Sequence, residues 1–169
     1  MARTTLVLGG ARSGKSRRAQ ALAEEAGGEL VFVATAQAFD DEMRARIARH
    51  RDDRDARWRT VEAPVDLVGA ILREDGVGRV LLVDCLTLWL SNLLLAEADL
   101  EAAGEALVAA VAEAEARIVL VSNEVGFGIV PDNALARRFR DAAGRLNQRI
   151  AGICEEVELV VAGIPMRVK

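Results

Sequence analysis

The segment GGARSGKS near the N-terminus constrains this chain more than any other feature. Residues 9–16 match the pattern G-x-x-x-x-G-K-[ST] at every fixed position. The apolar run from Thr4 to Leu8 predicts a buried strand, and the Ala-, Leu- and Glu-rich run from Arg17 to Ala26 predicts a helix. Glycines let backbone N–H groups approach a phosphate, and a helix N-terminus favours negative charge. The segment therefore predicts a nucleoside triphosphate site.

Two side chains of this loop and one distant carboxylate complete the predicted chemistry. Lys15 is a mobile cation for the β- and γ-phosphates, and the Ser16 hydroxyl is a ligand for Mg²⁺. The apolar run from Val80 to Asp84 predicts a strand with an acid at its carboxyl end, the Walker B arrangement. The pattern alone also permits Asp84 to cap the following helix. Ser16 and Asp84 are the predicted magnesium ligands.

Apolar strands alternate with helical segments along the chain, which predicts an α/β fold with a mostly parallel sheet and helices on both faces. Further strands are predicted at Leu30 to Ala36, Trp58 to Val61, Arg117 to Val121 and Val157 to Ala162, with Ile164 to Lys169 as an edge strand or tail. Further helices are predicted at Glu42 to Arg54 after an Asp40 cap, Val65 to Glu74 opened by Pro64, Leu86 to Ala98, Leu100 to Ala116 and Ala134 to Glu156. A length of 169 residues suits one domain, residues 1–169.

Composition and charge limit the kinds of partner and the cellular compartment that we expect for this protein. The net charge of -4 gives no reason to expect nucleic acid. The most apolar stretch, Val80 to Ala96, is interrupted by polar residues and falls short of a membrane span. The early first strand leaves no room for a signal peptide. Cys85 and Cys154 lack metal-site spacing and indicate buried thiols in a reducing compartment. We therefore expect a cytoplasmic protein.

Three other segments leave alternatives open. Ser122 to Gly126 follows a predicted strand at the sheet edge where ligands bind, but it is also typical of a turn. The helix Leu86 to Ala98 is apolar on nearly all faces, so we expect it to be buried, with a subunit interface as a natural place. Trp89 on this helix is expected to pack there. The arginines of the last helix indicate a solvated face, unless a phosphoryl site recruits them.

Comparison of P-loop classes favours a small metabolic enzyme. A GTPase switch requires D-x-x-G after the second acidic strand and an N-K-x-D guanine motif, and neither Asp84 to Thr87 nor Asn123 to Gly126 fits. A motor-type ATPase requires more chain and a catalytic glutamate after the Walker B aspartate, where this chain has Cys85. A small kinase or nucleotidyltransferase needs only the nucleotide site, a substrate pocket and Mg²⁺. A regulatory subunit that binds nucleotide without turnover is the alternative from a different class.

A series of motifs extends this interpretation across the chain. After GGARSGKS come Ala34-Thr35-Ala36, Asp40-Asp41-Glu42-Met43, Arg46 to Arg51, Trp58 to Glu62, Asp84-Cys85-Leu86-Thr87, Ser91 to Leu94, Asn123 to Pro131, Phe139-Arg140-Asp141 and Gly144 to Gln148. With these motifs the chain resembles the bifunctional adenosylcobinamide kinase / adenosylcobinamide-phosphate guanylyltransferase family of cobalamin biosynthesis. The resemblance implies a RecA-like P-loop fold and a homotrimer.

The resemblance also implies a two-step reaction. A nucleoside triphosphate (ATP or GTP) phosphorylates adenosylcobinamide, and GTP then transfers GMP to that phosphate through a guanylylated histidine. The catalytic residues carried over are His50 and Lys15. The nucleotide contacts carried over are Gly9, Gly10, Ala11, Arg12, Ser13, Gly14, Lys15, Ser16, Ala34, Thr35, Ala36, Arg51, Asp52, Asp53, Arg54, Glu62 and Asp84.

His50 is the only histidine of the chain. Without the resemblance, a histidine on an arginine-rich helix is typical of a surface residue. Imidazole is a suitable nucleophile for phosphorus near neutral pH, because its ordinary pKa of about 6.5 leaves it largely neutral. A covalent guanylyl intermediate divides one displacement into two. Arg49 and Arg51 would disfavour protonation of the ring and steady the triphosphate.

Overall fold

The computed structural model of this protein describes residues 3–37, 41, 44 and 54–169. The strands are β1 (Thr4–Gly9), β2 (Glu29–Ala34), β3 (Trp58–Glu62), β4 (Arg79–Asp84), β5 (Arg117–Asn123), β6 (Glu156–Val161) and β7 (Ile164–Arg167). The helices of the described ranges are α1 (Lys15–Ala26), α2 (Leu67–Glu74), α3 (Leu86–Leu95), α4 (Leu100–Glu113) and α5 (Ala134–Ile153). None of these helices is long and apolar enough to cross a membrane.

All seven strands form one sheet in the order β3-β2-β4-β5-β1-β6-β7. Neighbouring strands from β3 to β6 are parallel, and β7 pairs antiparallel with β6. The C-terminal segment is therefore an edge strand, one of the two predicted alternatives. A single strand, β5, separates the P-loop strand β1 from β4, which ends in Asp84. The predicted RecA-like P-loop fold, with a mostly parallel sheet, is confirmed.

The sheet separates two apolar cores, because successive side chains of a strand point to opposite faces. Leu6 belongs to the larger core, which α2, α3, α4 and α5 cover. Its neighbour Val7 belongs to the smaller core, together with Ala19 and Ala23 of α1. Both Leu6 and Val7 are 0% exposed. Burial on both faces explains why the strands are continuous apolar runs, and it confirms the prediction of helices on both faces.

Several predicted helix ends need correction. The helix predicted to open at Pro64 begins at Leu67, because the Asp66 side chain caps it by accepting a hydrogen bond from the Gly69 N–H at 3.0 Å. The helices predicted to end at Ala98, Ala116 and Glu156 end at Leu95, Glu113 and Ile153. Arg54, predicted as the last residue of a helix, lies in a bend. The proposed Asp40 cap and most of the helix after it lie outside the described residues.

The apolar helix α3 is buried by this chain's own elements. Trp89 is 1% exposed, and its indole N–H donates to the Val65 carbonyl oxygen at 2.8 Å. The packing role predicted for Trp89 is confirmed. Burial of α3 needs no second subunit, so the helix gives no support to the predicted subunit interface. Leu95, at its last position, is 64% exposed.

Both cysteines are free and buried, as the sequence predicts. Burial raises the pKa of Cys154 to about 12. Burial also raises the pKa of Cys85, and the nearby charge of Asp84 adds to that effect.

We therefore expect both thiols of the native protein to resist a thiol reagent at pH 8, since the thiolate is the reactive form. Both should react once guanidinium unfolds the chain. The free energy of unfolding should fall as the pH rises from about 9 toward 12, because only the unfolded chain releases thiol protons there. Rapid labelling of either native thiol at pH 8 would contradict this assignment.

Candidate nucleotide site

The candidate site lies at the carboxyl edge of the parallel strands. Register places Asp84 opposite Ala34 of β2, and Ala34 opposite Glu62 of β3. On the other side of β5, Gly9 lies opposite Asn123. Residues separated by up to 114 positions in the chain are thus collected along one edge. Such an edge is where parallel α/β sheets bind ligands.

The loop from Gly9 to Ser16 connects β1 to α1, as predicted. Gly14 stands before the first residue of α1 and has a φ of 97°, a left-handed conformation that favours glycine. Lys15, the first helical residue, is 9% exposed, and its Nζ donates to the Gly10 carbonyl oxygen at 3.0 Å. The ammonium group is therefore held over the loop. It belongs to the N-terminal turn of α1, the end of a helix that favours negative charge.

The turn between β6 and β7 contacts the phosphate-binding loop and supports its backbone. The Gly163 N–H donates to the Ser13 carbonyl oxygen at 2.7 Å. A Cβ at Gly14 would lie 3.1 Å from the Gly163 Cα, and a Cβ at Gly9 would lie 2.8 Å from the Val160 carbonyl oxygen. The glycines at positions 9 and 14 therefore also permit the close contact between this loop and the last strands of the sheet.

The loop fits a phosphate group. Ser13 Oγ is buried and has no hydrogen-bond partner among the described residues. A Cβ at Gly9 would lie 2.4 Å from that oxygen, so only glycine leaves it this room. A buried polar atom without a partner is costly unless a ligand or water satisfies it. The lysine, the glycines and this hydroxyl are together suited to an anionic ligand.

Asp84 ends β4, and the residue that caps α3 is Cys85. The alternative prediction, that Asp84 caps the following helix, is therefore wrong. The Asp84 carboxylate is not the cap of α3. Within the described ranges, no cluster of three or more His, Cys, Asp or Glu side chains forms a metal cage. Mg²⁺ is usually held by one or two protein ligands together with phosphates and water. A Ser16 hydroxyl and an Asp84 carboxylate fit that pattern.

Thr35 fixes the end of β2 to the chain beyond Asp84. Its hydroxyl donates to the Cys85 carbonyl oxygen at 2.7 Å and accepts from the Cys85 N–H at 2.8 Å. Its carbonyl oxygen accepts from the Asn92 amide at 2.8 Å, and the residue is 0% exposed. The nucleotide contact that the sequence predicts for Thr35 stays a prediction. These hydrogen bonds make Thr35 a support for the backbone beside Asp84.

A second buried network joins β5 to α3 and α5. Thr87 Oγ1 accepts from the Asn123 N–H at 3.0 Å and from the Asn123 side-chain amide at 2.8 Å. The Asn147 amide donates to the Asn123 carbonyl oxygen at 3.3 Å, and Ser122 Oγ donates to Asn147 Oδ1 at 2.6 Å. No role was predicted from the sequence for Thr87, Asn92 or Asn147. The available signal was a polar residue placed inside an otherwise apolar helical face.

Replacing Thr87 with valine tests this network. The substitution keeps the shape of the side chain but leaves two partly buried Asn123 donors without this acceptor, which should cost about 1 kcal/mol, the low end of the range for buried groups. Denaturant unfolding should show T87V to be less stable than T87S, which keeps the hydroxyl and serves as the control. Equal stability of the two variants would mean that the Asn123 bonds contribute nothing measurable.

The other residues predicted to contact the nucleotide differ in their exposure and in their place in the fold. Ala36 is half-buried two residues after β2, and the loop residues Ala11 and Arg12 are exposed. Glu62 is exposed at the end of β3. The Arg54 guanidinium lies 3.6 Å from the centre of the Phe32 ring of β2. His50, Arg51, Asp52 and Asp53 lie outside the described residues.

A complete phosphate-binding loop between β1 and α1, with an acidic residue at the end of β4, defines a P-loop nucleotide-binding protein of the RecA-like α/β class. The family model described as "Cobinamide kinase / cobinamide phosphate guanyltransferase" matches residues 5–168. The chain belongs to this family, and the resemblance stated from its motifs is confirmed.

Similar proteins from two bacteria match nearly the whole chain. The chain is 54% identical over 166 residues to the bifunctional adenosylcobalamin biosynthesis protein CobP of Pseudomonas aeruginosa, covering 97% of this chain and 96% of that protein. It is 45% identical over 179 residues to CobU of Salmonella typhimurium, covering 97% and 98%. Among solved structures, the RadB recombinase matches with a TM-score of 0.48 and 15% identity, covering 92% of this chain and 73% of RadB. That likeness is too weak to support a conclusion about the site.

Proposed function

We propose that this chain is a bifunctional enzyme of cobalamin biosynthesis. In the first reaction, a nucleoside triphosphate phosphorylates the hydroxyl of adenosylcobinamide. In the second, GTP transfers GMP to the new phosphate, which yields adenosylcobinamide-GDP and pyrophosphate. The observation that carries this proposal is the family match over residues 5–168, with relatives of 45–54% identity that are themselves named bifunctional.

The nucleotide is assigned to the loop from Gly9 to Ser16. Lys15 and the first N–H groups of α1 would hold the β- and γ-phosphates, and the left-handed Gly14 turns the chain from the loop into that helix. Ser16 and Asp84 would hold Mg²⁺, which neutralises charge on the phosphates when it is bound. The adenine or guanine nucleoside would extend toward Ala34, Ala36 and Glu62, along the same edge of the sheet.

The guanylyl group is assigned to His50. A ring nitrogen attacks the α-phosphorus of GTP, the bond to the β-phosphate breaks, and pyrophosphate leaves. The phosphate oxygen of phosphorylated adenosylcobinamide then attacks the same phosphorus and releases the imidazole. Arg51, Asp52, Asp53 and Arg54 are proposed as further GTP contacts. These assignments come from the matching motif, and all except Arg54 lie outside the described residues.

Three further properties complete the proposal. The chain acts as one catalytic domain over residues 1–169, assembles as a homotrimer and works in the cytoplasm. The homotrimer can be measured directly, because a chain of 18.2 kDa would sediment with three times that mass. A monomeric mass in active protein would remove this part of the proposal and leave the chemistry untouched.

Two assays on the unmodified protein test the function. Incubation with adenosylcobinamide and γ-labelled ATP or GTP should transfer label to the corrinoid. Incubation with adenosylcobinamide phosphate and α-labelled GTP should yield labelled adenosylcobinamide-GDP, with a covalent protein adduct before the acceptor is added. Tight GTP binding with neither product would instead support a regulatory subunit, and label transfer in the first assay alone would support a small-molecule kinase.

A further inference from the structure

We propose that Glu124 is the general base of the phosphorylation step, accepting the proton of the substrate hydroxyl. This inference rests on the proposed function, because it assigns a residue to the first of the two reactions. Neither the loop motif nor the magnesium ligands account for that proton. An alcohol oxygen attacks phosphorus more readily when a positioned carboxylate takes its proton in the transition state.

Glu124 lies beside the start of the phosphate-binding loop. It is the first residue after β5, and its N–H donates to the Gly9 carbonyl oxygen at 3.0 Å. Gly9 is itself the first residue of the loop pattern and lies opposite Asn123 in the sheet register. The backbone of Glu124 is thus bonded directly to the element that would hold the triphosphate.

The other carboxylates at this edge are less suitable. Among the described residues that end or directly follow a parallel strand there, only Glu62, Asp84 and Glu124 are acidic. Asp84 is assigned to the metal. Glu62 ends β3, which is four strands from β1, or about 19 Å at the usual strand spacing. The position after Asp84, where some P-loop enzymes carry a glutamate, is the buried thiol of Cys85.

A hydrogen bond fixes the orientation of the Glu124 side chain but uses only one of its two carboxylate oxygens. Glu124 Oε1 accepts a hydrogen bond from the Gly126 N–H at 2.8 Å. A Cβ at Gly126 would lie 3.0 Å from this oxygen, so glycine allows the close approach. The described residues supply no donor to Oε2, and the side chain is half-exposed. One oxygen therefore fixes the carboxylate while the other can accept a proton.

Residues 125–130, which follow Glu124, are exposed to solvent. The loop after Glu124 exposes its apolar side chains, with Phe127 84% and Ile129 97% exposed.

In the phosphorylation step, the hydroxyl oxygen forms a bond to the γ-phosphorus and the bond from that phosphorus to the β–γ bridging oxygen breaks. The nucleoside diphosphate leaves with the electron pair. The hydroxyl proton moves to the Glu124 carboxylate, which returns it to solvent.

Replacing Glu124 with glutamine tests the proposal, because the amide oxygen can still accept from Gly126 but cannot take a proton. We expect the kcat for phosphorylation of adenosylcobinamide to fall about 100-fold or more, with KM for the nucleotide little changed. Guanylyl transfer to adenosylcobinamide phosphate, which bypasses the first step, should stay within a few-fold of the unmodified protein. Glu113→Gln, at an exposed position of α4, is the matched control.

Glu124→Ala separates a chemical role from a structural one. If the glutamine and alanine variants lose phosphorylation equally and retain guanylyl transfer, the carboxylate is the base. If E124Q phosphorylates at the normal rate, or if E124Q loses both reactions together, the proposal is overturned and Glu124 only shapes the loop. An unmodified protein without either reaction would instead overturn the proposed function, so the two failures are distinguishable.

Discussion

Replacing His50 with alanine is expected to abolish guanylyl transfer from GTP while phosphorylation of adenosylcobinamide continues. The two reactions break different bonds of the triphosphate, and only the second needs a covalent carrier for GMP. His50 is the only histidine of the chain, so no other imidazole can replace it. The variant should form no protein adduct from α-labelled GTP, whereas transfer from γ-labelled nucleotide should stay measurable.

The chemistry of the adduct adds a second test. A bond between phosphorus and an imidazole nitrogen is labile in acid, so the label on the unmodified protein should be lost on acid treatment. Arg44→Ala is a suitable control, since Arg44 is exposed in the same part of the chain and forms an ion pair with Asp41 at 3.5 Å. An adduct of normal stoichiometry in H50A would remove His50 as the carrier. An acid-stable adduct would exclude imidazole altogether.

Replacing Lys15 with alanine is expected to reduce phosphorylation by at least about 100-fold, the scale seen when one preorganised donor to a transition state is removed. Guanylyl transfer should fall as well, because the same loop is proposed to hold the triphosphate for both reactions. This joint loss distinguishes Lys15 from Glu124, whose removal should affect one reaction. Rates should be measured at saturating nucleotide, with dissociation constants determined separately.

The chain provides its own control for charge. Lys169 is the only other lysine, and it donates to the carbonyl oxygens of Ala151 and Gly152 at the end of α5. Lys169→Ala removes the same charge and should leave both reactions near normal. Because Lys15 also bonds to Gly10, thermal unfolding of K15A should be compared with the unmodified protein. A near-normal phosphorylation rate in folded K15A would refute the role given to this lysine.

The phosphate-binding loop could be predicted in full from consecutive residues. Its requirements are local: glycines where the backbone must turn, a lysine at the first helical position and a buried strand before them. The alternation of strands and helices likewise predicted the parallel sheet. The start of α2 was missed because the Asp66 side chain caps the helix at the Gly69 N–H, so the helix begins two residues after the predicted Val65. Pro64 was an acceptable opening residue by pattern, and only the capping contact decided between them.

The hydrogen bonds that support the site could not be predicted from any single segment of the sequence. Thr87 and Asn123 are separated by 36 positions, and their hydrogen bonds exist because β4 and β5 are neighbours in the sheet. Gly163 lies between β6 and β7, and its N–H supports the loop at Ser13, 150 positions away in the chain. Such contacts depend on which strands are adjacent in the sheet. The order of the strands is set by burial of both faces of the sheet and not by the secondary-structure preference of single segments.

The amino-acid sequence by itself determined the ligand class of the loop and the family of the protein, since both are written in short ordered motifs. Only the tertiary structure decided that Asp84 is free of the helix cap and that α3 is buried within the chain. It also decided that Glu124 lies against Gly9. The physical reason is that a parallel sheet brings the carboxyl ends of its strands to one edge, whatever distance separates them along the chain.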